Sequence, residues 1–438
     1  MSDHSKGPMS RAIGLSISAV LLLAACTGGG NSASAGVPSG KIGGSLSVTT
    51  AWAGEELKAF QNVLKPFQEK TGIKVNLTTD RNAQTALANN KRAGTKLPDI
   101  ASVPTPDKIE AWANDGTIKP LEDLFDKATM DAYLQNTLPG LLNIWVFNGK
   151  HYSLMIKSQL KGLMWYNTKV FTGSPPKTYD ELLSTPLPSG VKSLFCAGFE
   201  SGADSGWPAS DMFANIVMRQ SGPDVYKNWY SGKVKWSSNE IKSAFQMFGK
   251  MVAPDKVYGG TNTAVSTAFQ RGGKPLFATP PGCLFYEQAT FVTSFFKEDY
   301  PKLKPVDDFN FFLDPGINSQ FDGNVEGFWD SMAIYNDTPQ SRALAAYMVT
   351  PEAQQVFVNG GSTLASNKNI TTFPDVALKH AAELASQAKN FLPTAGDQMP
   401  DEMKRAFWRA LLDFTKDQSK LDSILQKLDQ VQASAYAE

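Results

Sequence analysis

Between residues 45 and 51 apolar and hydroxyl side chains alternate. Leu46 and Val48 lie on one face and Ser47 and Thr49 on the other, the period-two pattern of a half-buried strand. Leu57, Phe60, Leu64 and Phe67 then recur at helical spacing, Gly72 supplies a stop, and 73–79 alternates again. A strand at 97–100 and a helix at 107–114 repeat the unit, which predicts a mostly parallel sheet with right-handed crossovers. Asn148-Gly149 at the centre of 146–155 predicts a hairpin, and 162–167 a further strand. Strands near 193–198, 274–278, 309–313 and 331–335, separated by helices at 207–220 and 240–251, predict a second α/β unit. From Pro339 onward the pattern is helical, at 340–349, 351–359, 375–388, 401–415 and 419–433. Such late helices must cover sheet faces formed earlier in the chain.

A length of 438 residues suits two or three folding units with substantial cores. Lys plus Arg and Asp plus Glu both number 42, so the basic excess that attracts nucleic acid is missing. The N-terminus carries Lys6 and Arg11 and then an apolar run at 12–25, 14 residues long and too short to span a bilayer. It reads as a signal peptide, residues 1–25. Leu23-Ala24-Ala25-Cys26 resembles the bacterial lipobox, which implies a palmitate-type acylated Cys26 as the first mature residue. Residues 26–43, rich in Gly, Ser and Asn, then form a flexible tether to a membrane-held anchor. Cleavage removes Lys6, Arg11 and Asp3, leaving 40 basic and 41 acidic residues. The two other cysteines, Cys196 and Cys283, are an even pair in an exported chain, which favours a disulfide.

Several chemistries are poorly supplied. Of 3 histidines only His151 and His380 remain after cleavage, too few for a histidine-based metal site or triad, and neither a cofactor nor a metal is expected. Gly-x-Ser-x-Gly, Walker-type and His-Glu-x-x-His motifs are missing. A glycosidase pair of carboxylates formed by tertiary proximity stays open.

Loops at the carboxyl ends of strands in an open α/β sheet converge on a ligand crevice. Trp52 and Glu55 follow the first strand, and Asp80 and Arg81 the second. An indole face with carboxylate and guanidinium groups suits a pyranose, which has an apolar C–H face and adjacent hydroxyls. Helix N-capping for Glu55 and an Asp80–Arg81 ion pair are the competing structural explanations.

Trp52 to Val75, with Gly54-Glu55-Glu56-Leu57 ahead of Phe67-Gln68-Glu69-Lys70-Thr71-Gly72, resembles the first lobe of family 1 extracellular solute-binding proteins of ABC importers. Leu97-Pro98-Asp99-Ile100, Tyr166-Asn167, Asn336-Asp337-Thr338-Pro339 and Thr350-Pro351-Glu352-Ala353-Gln354 follow in that family's order. Residues 200–208, Pro281-Gly282-Cys283 and Met399-Pro400 with Phe407-Trp408 are similar to its α-glucoside and maltose-type members. The resemblance implies two α/β lobes, 44–155 with 335–380 and 156–334 with 381–438, joined by a hinge around a sugar cleft. It implies a monomeric, lipid-anchored, non-catalytic protein that hands a carbohydrate to ABC permease subunits and binds no nucleic acid. Matching positions add Gln159, Trp207, Phe285, Trp329 with Asp330, and Trp408 to the expected ligand site. Trp408 also stands about 100° from the buried stripe Met403, Phe407, Leu411 and Phe414 of its helix, which calls for a reason other than that core. A lipid-anchored glycoside hydrolase and a polyamine binder of the same fold are the alternatives.

Overall fold

The structure, a computed structural model, describes residues 40–437 apart from Ala53, Arg81, Pro104, Thr105, Asn143 and Ser362. The signal segment, Cys26 and most of the expected tether lie outside the described residues. At the end of that tether, the N–H groups of Ile42 and Gly43 donate to Thr71 O, docking the chain on the first helix.

β1 (Ser45–Thr50) buries Leu46, Val48 and Thr50, as its alternation requires. The helix Gly54–Thr71 turns Phe60, Val63, Leu64 and Phe67 inward. It stops where Gly72, at φ +70°, donates its N–H to Gln68 O. β2 (Lys74–Thr79) and β3 (Ile100–Ser102) flank β1 in parallel. β4 (Val146–Phe147) and β5 (Lys150–His151) form the expected hairpin, with Asn148 at φ 51° and Gly149 at φ 72° in the left-handed conformation its turn needs.

β6 (Leu154–Leu160) leads directly into β7 (Leu163–Asn167), and the two belong to different sheets. β8 (Ser193–Cys196), β9 (Cys283–Glu287) and β10 (Phe309–Leu313) complete the second sheet, in the order β10-β7-β9-β8. β11 (Asn324–Ile334), β12 (Leu364–Ala365) and β13 (Asn390–Pro393) return to the first. The first sheet runs β12-β6-β11-β3-β1-β2, with β13 also paired to β11. It is mixed, because β11 runs antiparallel to both β3 and β6. The expected boundaries at 155/156 and 334/335 therefore fall inside β6 and at the end of β11. The chain passes between sheets at 161–162 and 314–323.

The expected strand at 274–278 is a 3₁₀ turn, Lys274–Phe277, because Pro275 cannot donate to a ladder. The late helices form as expected. Thr338, Thr350 and Asp375 accept at their N-termini from Ser341, Ala353 and Leu378 N–H groups, and Pro339 and Pro351 occupy first-turn positions. The helix Trp207–Tyr230 outruns its expected end at 220 by passing through a kink at Gly222 (φ 84°), just before Pro223. Cys196 and Cys283 are disulfide-bonded across neighbouring strands, with Cα atoms 5.4 Å apart. No helix among the described residues is long and apolar enough to cross a membrane.

Candidate functional site

One strip of β-structure carries the site. β6 opposes β11 with Gln159 beside Phe328 and Lys157 beside Asp330. Lys161 lies just beyond, and its N–H donates to Glu326 O. Opposed residues share a face and alternate residues return to it. Lys157, Gln159, Lys161, Glu326, Phe328 and Asp330 thus form a ladder that runs from the first sheet towards the second.

Trp52 closes over one end of this ladder. Its Nε1 donates to Asp330 Oδ1 at 3.1 Å, and Lys157 Nζ lies 4.8 Å from the ring centroid. Lys157 also pairs with Asp330 at 2.7 Å and with Glu56. Burial alone would lower the Lys157 ammonium, but Asp330 and Glu56 outweigh it and raise the group above the ordinary lysine value. The cation therefore persists at physiological pH. In mid-ladder, Thr290 from the loop after β9 donates its hydroxyl to Gln159 Oε1.

At the other end Lys161 Nζ sits 5.6 Å from the Trp207 ring and 5.5 Å from the Phe328 ring, paired with Asp211 at 2.8 Å. Trp207 opens its helix beyond Gly206, where φ is 103° and an added Cβ would lie 2.5 Å from Trp408 O, so only glycine fits. Trp207 meets Phe269 and Phe291 at 4.9 and 6.0 Å. Trp207, Phe291 and Phe328 are only half-buried, so aromatic surface faces outward here.

Beneath this end lies a buried ionic layer. Asp211, Asn215 and Arg219 repeat every fourth residue on one helical face. Asn215 Nδ2 donates to Glu326 Oε2 at 2.5 Å, and Tyr179 OH donates to Asp314 Oδ2 at 3.3 Å. Burial pushes Asp211 and Asp314 up to about 6, against the opposing pull of Lys161 and Arg219 respectively. Glu287 and Glu326 rise well above the ordinary carboxylate range, first by burial and then by neighbouring acids.

The sequence candidates divide. Trp52, Gln159, Trp207 and Asp330 lie along the ladder. Asp80 is spent locally, accepting from Asn82 N–H at 2.8 Å in the turn before the next helix. Arg81 and the Glu55 side chain lie outside the described residues. Trp329 points to the opposite face from Asp330, 8% exposed, into the core of the first sheet. Phe285 is a correction: at 0% exposure it is wedged between Phe171 and Phe312, which leaves no surface for a ligand. Trp408 is as buried as Trp52, each 7% exposed, and donates Nε1–H to Ser210 Oγ at 3.1 Å. Its helix is packed on a second side by the Trp207 helix, so a position off the main stripe is buried as well. Lys157, Lys161 and Asp211 went unread. Their signal was the polar side chain recurring at every second position, Lys157, Gln159 and Lys161, and at every fourth, Asp211, Asn215 and Arg219.

Residues 62–386 match the model of the bacterial extracellular solute-binding protein. The chain belongs to that family. Family relatives include the alpha-glucosides-binding periplasmic protein AglE of Rhizobium meliloti (strain 1021), 30% identical over 87% of this chain and 85% of that protein. The osmoprotective compounds-binding protein GgtB of Synechocystis sp. is 28% identical over 82% of this chain and 86% of its own length. Among solved structures, a chitin oligosaccharide binding protein superposes with a TM-score of 0.74 at 20% identity, over 90% of this chain and 99% of that one. These relatives are substrate-binding proteins, not enzymes, and the family works with ABC permeases. The fold is theirs, α/β and two-lobed.

Proposed function

We propose that this chain is the extracytoplasmic sugar-binding component of an ABC importer, taking an uncharged oligosaccharide of α-glucoside type. The carrying observation is the ladder itself, a single face with half-buried Asp330 at one end, backed by the buried Trp52, and the half-buried rings of Trp207 and Phe328 at the other. Aromatic surface suits the C–H face of a pyranose, and carboxylate or amide groups suit its hydroxyls. Likeness to AglE over most of both chains supports the α-glucoside class. A lobe stands on each sheet, and closure about 161–162 and 314–323 gives a ligand contacts with both only in the shut form, which that differential affinity then favours. An acylated Cys26 holds the monomer at the membrane beside its permease. No bond is cut.

Calorimetry against sucrose, trehalose, maltose and maltotriose tests this. A Kd near micromolar, about −8 kcal/mol, is expected for at least one, with the sugar recovered intact. A cleaved sugar would point to the hydrolase, and spermidine binding without sugar binding to the polyamine reading. Either result overturns the proposal.

A further inference from the structure

Lys161 stands where the chain leaves the first sheet, between β6 and β7. Its side chain is 7% exposed, so it has almost no surface to offer a ligand directly. Burying an ammonium costs several kcal/mol unless it is well paired, and apolar packing of similar volume is often as stable. A lysine here calls for a role beyond filling space.

The partners suggest that role. Trp207 belongs to a helix packed on the second sheet, Phe328 to β11 of the first, and the Lys161 ammonium lies about equally far from both rings. Asp211, one helical turn after Trp207, fixes the ammonium at 2.8 Å. Trp207 and Asp211 thus grip Lys161 from one helix, while Phe328 meets it from the other sheet. We propose that Lys161 is a positioning residue that holds the aromatic surfaces of the two lobes, Trp207 and Phe328, in register for the ligand. Burial would lower its ammonium, but Asp211, Asp397 and Glu326 raise it above the ordinary lysine value, so the cation persists at physiological pH. Lys157, four residues earlier on the same face, lies against Trp52 in the same way with Glu56 and Asp330 as its anions. One strand therefore places a buried cation against an indole at each end of the ladder.

The inference rests on the sugar-binding reading, and the test separates the two. Lys161→Met alone strands the Asp211 carboxylate, so the informative protein is Lys161→Met with Asp211→Leu, beside Lys161→Arg as the charge-retaining control. The probes are the sugar that binds wild type in the panel above and, without ligand, acrylamide quenching of tryptophan emission read against a Trp207→Phe background. Expected are at least a tenfold weaker Kd in the double variant, increased quenching that vanishes in the Trp207→Phe background, and near wild-type values for Lys161→Arg. Unchanged affinity and quenching in a folded double variant would overturn the positioning role. Where wild type binds no sugar, the sugar reading fails, and the ligand-free quenching alone upholds or overturns the grip of Lys161 on Trp207.

Discussion

Glu287 ends β9 with its side chain buried, and no described group hydrogen-bonds its Oε2. Burial raises its pKa well above 4.5, and Asp314, Asp211 and Glu326 add to the rise while Lys161 opposes it. Glu287→Gln replaces a carboxyl that is neutral in the folded state with a neutral amide of the same shape. Below the ordinary pKa both folded and unfolded wild type are protonated, and the two proteins should be equally stable apart from a constant offset. As pH climbs, the unfolded glutamate ionises and the folded one does not, so wild type loses stability. The slope is about 1.4 kcal/mol per pH unit until the folded group itself ionises. Above the unfolded pKa the variant should therefore gain on wild type as pH rises. Urea unfolding of both proteins at pH 4, 5, 6 and 7, with equal m-values, measures the difference directly. A difference that stays flat across the series, or that shrinks with rising pH, refutes the buried neutral carboxyl.

Other consequences follow from packing and covalent structure. Cys196→Ser with Cys283→Ser opens a bridge closing a separation of 87 residues, which the chain-entropy model values at about 4.5 kcal/mol; chemical unfolding that shows under 1 kcal/mol lost would reject that value. Trp408→Ala leaves a cavity among Ser210, Gly206 and Gly396 and should cost about 3–5 kcal/mol in unfolding free energy. A Tm within a degree of wild type would return Trp408 to the surface. Gly222→Ala places a methyl 2.4 Å from the Phe321 ring at φ 84°, so a loss of about 1–3 kcal/mol is expected. Equal stability would mean that the kink straightens at no cost.

How far the sequence reached depended on whether a signal was local. β1, the first helix and the capped late helices were legible because alternation, helical spacing and Thr-Pro or Asp caps act within a few residues. The 3₁₀ turn Lys274–Phe277 was misread as a strand because its apolar content mimics one and only Pro275 argues otherwise. The mixed first sheet was out of reach. β11 finds β3 and β6 from more than 150 residues away, and no local pattern records that pairing. Site residues divide in the same way. Trp52 and Asp330 were named separately, and the hydrogen bond between them spans 278 residues. Phe285 failed because large aromatics serve cores as readily as ligands, and the burial of Trp408 was missed because one helical wheel cannot show that a helix is packed from two sides.

The ladder explains why its cations were overlooked. A lysine in a strand ordinarily marks a solvent face, and Lys157 and Lys161 break that rule because each has its counter-ion delivered by a distant element. Glu56 comes from the first helix, Asp330 from β11 and Asp211 from the Trp207 helix. Remove those acids and the same strand could not bury its charges, since an isolated ammonium shifts its pKa or stays in water. The segment 157–161 therefore reads as a buried strand only once three separately encoded carboxylates have arrived. Any change that delays one of them should expose the strand that joins the two sheets.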